Sequence, residues 1–259
     1  MPEFETLKFT QSGPVTSIIL DRPDAANGMN DTLTRELAEA AALCATDATK
    51  VVTITGAGRF FCAGGDLKAM AAAASPGAYV RGIADDLHRA MSIFARMDAV
   101  LITAVNGVAA GAGFPLGVSG DLVLAAESAS FTMAYTKAGL SPDGSSSYLL
   151  PRLVGLRRTQ ELMITNRVLT AAEAFDWGLV TTVVPDEELP AALGALAAKT
   201  ATGARGSNSA VKKLLLTTYA STFEDQLDRE AALISECADS ADGKEGIAAF
   251  FGKRRPEFS

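Results

Sequence analysis

The chain has 259 residues, a formal net charge of −7, 48% hydrophobic residues and three cysteines. A chain of this length can bury about 75% of the surface its unfolded form exposes, so a sizeable core is available. The acidic balance argues against nucleic acid and anionic membranes as main partners. Cys44, Cys62 and Cys237 lie far apart without C-x-x-C spacing, which speaks against a disulfide framework or a zinc site and fits a reducing cytoplasm.

The opening MPEFETLKFT lacks the basic and apolar regions of a secretory signal. TLKFT and VTSIIL, flanking Ser12-Gly13-Pro14, predict a β-hairpin. From Asp31 to Thr46, Leu33, Leu37, Ala40, Ala41 and Cys44 recur at helical spacing. The strand VVTIT then runs into a glycine-rich loop, followed by an alanine-rich helix ending near Ser75-Pro76-Gly77 and a long helix from about Ala78 to Met97. VLITAV predicts a strand leading through Asn106-Gly107 into a helix from Gly111 to Gly117, and DLVLAA predicts the next strand. Ala99 to Val118 is apolar enough to weigh as a membrane span, but Pro115, four glycines and the Asn-Gly step favour a buried strand, turn and helix. TAAE at Thr170 to Glu173 reads as a capping box opening a helix that ends at Trp177-Gly178. Beyond GLVTTVVP the pattern is helical, over 187–201, 207–217, 223–238 and 244–251. Strand and helix alternating, then helices alone, predict an α/β fold with largely parallel pairing. Leu214, Leu215, Leu216, Leu227, Ile234, Phe250 and Phe251 give the tail too much apolar surface for a free appendage and point to the core or other subunits.

The glycine-rich stretch TITGAGRFFCAGGDLKAM invites a phosphate, but its spacing refuses one. After Gly56 and Gly58, Phe61 stands where a dinucleotide fingerprint needs its third glycine, and Gly65 is followed by Asp66 rather than the Lys of a phosphate-binding loop. Asp66 suits the N-cap of a helix starting at Leu67. The loop therefore offers its N–H groups to something less charged, for which a polarised carbonyl oxygen is the natural candidate.

Two glycine loops, FFCAGGDLKAM and AVNGVAAGAGFPLGVSGDLVLAAESASF, stand in one order with IILDRPDAANGMN, GLSPDGSSSYLLPRLVG, AAEAFDWGLVTTVVP and GKEGIAAFFGKRRPEF. Together they resemble the crotonase superfamily, the enoyl-CoA hydratase/isomerase family, over almost the whole chain. The resemblance implies a crotonase-like spiral of ββα turns over residues 1–200 that holds an acyl-CoA site. It also implies a C-terminal helical region over 201–259 that packs in homotrimers or hexamers. For the site it implies an oxyanion hole, in which the N–H groups of Gly65 and Ala112 hold a thioester oxygen as enolisation charges it. The nucleotide end of coenzyme A is then expected along Arg22 and Ala25, and along the backbone of Ala63, Asp66 and Leu67. Lys68, and Lys253 from a neighbouring subunit, are expected near its phosphates. Coenzyme A enters as part of the substrate; no prosthetic group or metal is expected.

This sequence departs from the family's hydratases where two glutamates hold and activate water, since Pro115 and Tyr135 take their places. Neither exchanges a proton as a carboxylate does at neutral pH. The surviving acid is Asp143 in GLSPDGSSS, a position at which the family's isomerase branches, including dienoyl-CoA and ring-epoxide isomerases, carry an acid. Pro-Asp-Gly is also a common turn, and Asp143 has an equal reading as a helix cap. His88 lies at a distance from Asn106 that resembles the catalytic base of the dehalogenase-like branch acting on 4-chlorobenzoyl-CoA, whose nucleophilic aspartate Asp143 matches; LHRA also reads as part of an ordinary amphipathic helix. The expected function is an enoyl-CoA isomerase with Asp143 as its base. The alternatives are an aryl-CoA dehalogenase or hydrolase using Asp143 and His88, and a member that binds acyl-CoA with little turnover.

Overall fold

The computed structural model describes residues 3–46 and 48–259; Met1, Pro2 and Asp47, all inside the expected 1–200 region, lie outside the described residues. The hairpin forms where glycine and proline punctuate it: β1 (Leu7–Ser12) and β2 (Val15–Leu20) pair antiparallel, Leu7 opposite Leu20 and Ser12 opposite Val15. Helix α1 (Asp31–Cys44) starts at Asn30, whose side chain accepts from the Leu33 N–H at 3.0 Å, and buries Leu33, Leu37, Ala40, Ala41 and Cys44, the face its periodicity predicts.

Each of the next turns contributes one long and one short strand. They are β3 (Val51–Gly56) with β4 (Phe60–Cys62), then β5 (Val100–Val105) with β6 (Val108–Ala110), then β7 (Leu122–Ala126) with β8 (Ser130–Thr132). Between them stand α2 (Leu67–Ala72), α3 (Pro76–Arg96) and α4 (Gly113–Gly117). The long α5 (Ser146–Thr165), broken at Gly155, leads to β9 (Leu169–Thr170), α6 (Ala171–Asp176) and β10 (Thr182–Val184). The chain ends in α7 (Leu189–Ala201), α8 (Arg205–Thr217), α9 (Phe223–Asp239) and α10 (Ala241–Phe251).

The long strands form one six-stranded sheet in the order β1-β2-β3-β5-β7-β10, parallel from β2 onward. The short strands form a second sheet in the order β4-β6-β8-β9. This is the spiral of ββα turns expected from the family resemblance. In β5 every residue is buried, as parallel strands covered on both faces require, which is why VLITAV shows no alternation. Ala99 to Val118 accordingly divides among β5, β6 and α4, and among the described residues no helix is long and apolar enough to cross a membrane.

Four expectations shift. The helix placed at Gly111 begins at Gly113, because Gly111 takes a left-handed φ of +51° and Ala112 is its N-cap. The long helix starts at Pro76 rather than Ala78, since proline's fixed φ suits the first helical turn. The alanine-rich helix stops at Ala72. The last helix opens at Ala241, three residues before the expected 244, the remaining boundaries agree within two residues, and Thr170 and Glu173 form both bonds of the capping box.

Helix α7 packs on the large sheet, α1 packs on α3, and α8 reaches back to α3. Lys212 of α8 is buried there, donating to the carbonyls of Phe94 (3.0 Å) and Ala99 (2.7 Å) and pairing with Asp121 at 2.9 Å. Further on, α9 has no buried residue, and Phe223, Ile234, Phe250 and Phe251 are all more than 70% exposed.

Candidate active site

The first glycine loop is held by side chains buried beneath it. Asn27, at a φ of +52° and fully buried, donates to the carbonyls of Ala57 and Phe60 at 3.0 and 2.8 Å, and its Oδ1 accepts from the Arg22 N–H at 2.9 Å. Cys62 donates from Sγ to the Asn27 carbonyl at 3.1 Å and accepts from the Gly64 N–H at 3.4 Å. Burial pushes its thiol up to about 12, so Cys62 supports the loop and is no nucleophile at neutral pH. Asp66 caps α2, its Oδ1 accepting from the N–H groups of Lys68 and Ala69, both at 3.1 Å. Its carboxylate is held below its ordinary value: burial opposes this, but the bonds from Ala69, Arg22 and Lys68 outweigh it.

The second glycine loop touches the first. A Cβ at Gly64 would stand 2.8 Å from the Ala110 carbonyl oxygen and 3.2 Å from the Ala112 nitrogen, and Gly64 adopts a φ of +90°. Only glycine allows two backbones to approach so closely in that conformation. Among the described residues neither the Gly65 nor the Ala112 N–H meets a hydrogen-bond acceptor.

Both residues line a cavity of about 380 Å³, together with Ala63, Leu67, Tyr135 and Asp143. Its walls are otherwise largely apolar, with Met29, Met70, Val80, Ile83, Leu87 and Leu140 among them, and Asp143 is the one carboxylate of the lining. A larger cleft of about 880 Å³ lies between α7 and the large sheet. Asp186 is its one titratable lining residue, and neither Gly65 nor Ala112 lines it.

Asp143 does not cap α5. The helix begins at Ser146 after Ser145, without a side-chain cap, and the Asp143 carboxylate turns instead to Tyr135, whose hydroxyl donates to Oδ1 at 2.5 Å. Burial, reinforced by the neighbouring Asp143 charge, pushes the Tyr135 phenol far above its ordinary value, so it stays a donor. His88 Nε2 accepts from the Gly144 N–H at 3.2 Å and stands 3.8 Å from Asp143 Oδ2. His88 is therefore at the site although it does not line the cavity. Pro115 also lies beside it: a Cβ at Gly144 would sit 3.0 Å from Pro115 Cγ.

The nucleotide-end candidates are more dispersed. The Arg22 guanidinium is committed to the Gly28 carbonyl and, at 3.2 Å, to Asp66. Ala25 ends a short turn of helix over Pro23–Ala25. The N–H groups of Ala63 and Asp66 are used by the Ala26 and Met29 carbonyls at 3.0 and 2.9 Å. Leu67 is exposed at the cavity rim, while Lys68 and Lys253 are exposed and outside the lining. The Asn-Gly step of AANGMN is the one local signal for Asn27, and the sequence offers none for the supporting role of Cys62.

The enoyl-CoA hydratase/isomerase family model matches residues 10–259. Over the full chain the sequence is 37% identical to 1,2-epoxyphenylacetyl-CoA isomerase of Escherichia coli, covering 99% of that protein. It is 28% identical to trans-2-decenoyl-[acyl-carrier-protein] isomerase of Streptococcus mutans, covering 99% of each chain. An enoyl-CoA hydratase structure from Polaromonas sp. JS666 superposes with a TM-score of 0.92 at 30% identity, over 98% of this chain and 99% of that one. The two unpaired N–H groups over one carboxylate thus sit in a chain that belongs to the enoyl-CoA hydratase/isomerase family.

Proposed function

We propose that this protein is an enoyl-CoA isomerase, moving a proton between carbons of an unsaturated acyl-CoA thioester. The observation that carries the reading is one cavity holding two unpaired N–H groups, Gly65 and Ala112, and a single lining carboxylate, Asp143. Asp143 takes a proton from the acyl chain, and the C–H electron pair moves into the conjugated system and onto the thioester oxygen. The Gly65 and Ala112 N–H groups hold that enolate oxygen; one such donor is typically worth about 3 kcal/mol of barrier. Asp143 then returns the proton to a different carbon and the double bond shifts. A hydratase must also hold and activate a water, and the positions that would do so carry Pro115 and Tyr135, which have no carboxylate to offer. Relatives are named both as isomerases and as hydratases, so the single carboxylate carries the choice.

The largely apolar wall, with Arg81 its one basic residue, suits a predominantly apolar acyl chain. The coenzyme A moiety leaves past Ala63 and Leu67, with Lys68 and a neighbouring subunit's Lys253 as partners for its phosphates. The exposed aromatic and aliphatic side chains of α8, α9 and α10 support assembly as a homotrimer or hexamer.

The test is incubation with a panel of acyl-CoA thioesters in deuterated water, followed by mass spectrometry. Deuterium entering the acyl chain of an enoyl thioester, together with double-bond migration, is the expected result. A second reading, an aryl-CoA dehalogenase or hydrolase in which Asp143 attacks the ring and His88 activates water, is favoured by the 3.8 Å between His88 Nε2 and Asp143 Oδ2. Chloride release from 4-chlorobenzoyl-CoA would establish it instead. Tight thioester binding with neither exchange nor chloride release would leave an acyl-CoA-binding member with little turnover.

A further inference from the structure

Asp143 sits in a segment that local preferences do not hold in place. Gly144 and Ser145 adopt left-handed φ values of +59° and +67° in succession. For serine this conformation is strained, so the segment persists only where its surroundings impose it. Two contacts do so from opposite ends of the aspartate. The Tyr135 hydroxyl engages Oδ1 at 2.5 Å, and His88 Nε2 engages the N–H of the next residue, Gly144, at 3.2 Å. Accepting that bond uses the Nε2 lone pair. The lone pair that a general base would use is therefore already spent on the backbone. On the carboxylate, Oδ1 is committed, while Oδ2 makes no hydrogen bond among the described residues and stands 3.8 Å from His88 Nε2.

We propose that Tyr135 and His88 are positioning residues that clamp Asp143 at two points, Tyr135 through Oδ1 and His88 through the Gly144 N–H, leaving Oδ2 as the atom that carries the proton. This rests on the reading of Asp143 as the base. It assigns His88 no proton transfer and gives Tyr135 a task that the family's second glutamate position would otherwise not suggest: it orients the remaining acid instead of supplying one.

The experiment uses four variants of the full-length protein, with cis-3-hexenoyl-CoA as the probe, following isomerisation and deuterium uptake. Tyr135→Phe removes one oxygen and leaves the ring, so kcat should fall by roughly 10- to 100-fold with KM within about threefold, the signature of a misaimed base in an intact binding site. His88→Leu should lower kcat by about 10-fold or more. His88→Gln supplies an amide oxygen to accept from Gly144 and should recover to within about threefold of the wild type. Should His88→Gln be as impaired as His88→Leu, the imidazole itself handles the proton and the clamp is wrong for His88; a wild-type kcat in Tyr135→Phe overturns it for the tyrosine. Asp143→Asn separates the two levels: if it retains exchange, the reading of Asp143 as the base fails, whatever the other variants do. Amide hydrogen exchange at Gly144 gives a readout independent of turnover. The amide should be protected in the wild type and in His88→Gln and unprotected in His88→Leu, and equal protection in all three would refute the tether even if no thioester reacts.

Discussion

Replacing Gly64 with alanine should cost the protein catalysis more than binding. At a φ of +90° a side chain is strained by roughly 1–2 kcal/mol. The new Cβ would stand 2.8 Å from the Ala110 oxygen, where ordinary contact begins at 3.4 Å, so the two glycine loops must part by 3.4 less 2.8, or 0.6 Å. Gly65 and Ala112 lie on opposite sides of that gap, and a shift of this size takes one donor out of reach of an oxyanion the pair was placed to share. Loss of one such donor lowers kcat by about 100-fold, near 2.7 kcal/mol. Strain and overpacking together should also cost about 3 kcal/mol of stability, a fall in Tm of roughly 10 °C.

Gly65→Ala is the control, because its Cβ meets only the terminal methyl of Met70, which can turn aside. Both N–H groups stay in place while the cavity loses volume, so KM should rise and kcat should stay within about fivefold. The assay is deuterium uptake by an enoyl-CoA thioester, with thioester affinity and thermal melting measured alongside. Wild-type kcat in Gly64→Ala, or an equal kcat loss in both variants, would refute the placement of the oxyanion hole between these loops.

Three further outcomes follow from the surrounding structure. Lys212→Met strips the Phe94 and Ala99 carbonyls of their donor and Asp121 of its partner; because Asp121 is about one-third exposed, the loss should be about 2–3 kcal/mol by denaturant titration, and an unchanged midpoint would show the contacts to be idle. Light scattering at micromolar concentration should report a trimer or hexamer, and a monomer would contradict the reading of the exposed α9 and α10 surface. Arg254 and the Glu257 N–H hold Glu245 down at about 2, below its ordinary 4.5. With the folded value depressed, this contribution is fully present above pH 4.5 and is lost as the pH falls through 2. Amide protection of Glu257 should follow that window, and Arg254→Gln should move its loss to higher pH.

What the sequence made legible was what neighbouring residues decide among themselves. The α1 face appears as apolar residues at helical spacing, and the Thr170 capping box is complete within four consecutive residues. The short sheet was invisible because β4, β6 and β8 have three residues each and β9 two, too few for any period to register. Those strands are nevertheless what bring the glycine loops into contact, so a reading that saw strand, glycine loop and helix had the loops without the element that joins them. The site residues divide in the same way. Gly65 and Ala112 were reached through the resemblance, because a glycine run states freedom and not what it approaches. For Asp143 the local sequence leaves base and cap equally open, and only the tertiary structure turns its carboxylate to Tyr135. That contact spans only eight residues, but its chain reversal depends on Ala134 at a φ of +55° and Gly139 at +71°, and alanine gives no sign of a left-handed turn. His88 lies 56 residues from Gly144 and was ambiguous for the same reason. The spacing of its helix shows an amphipathic face, and only the tertiary fold decides that His88 meets the backbone N–H following Asp143.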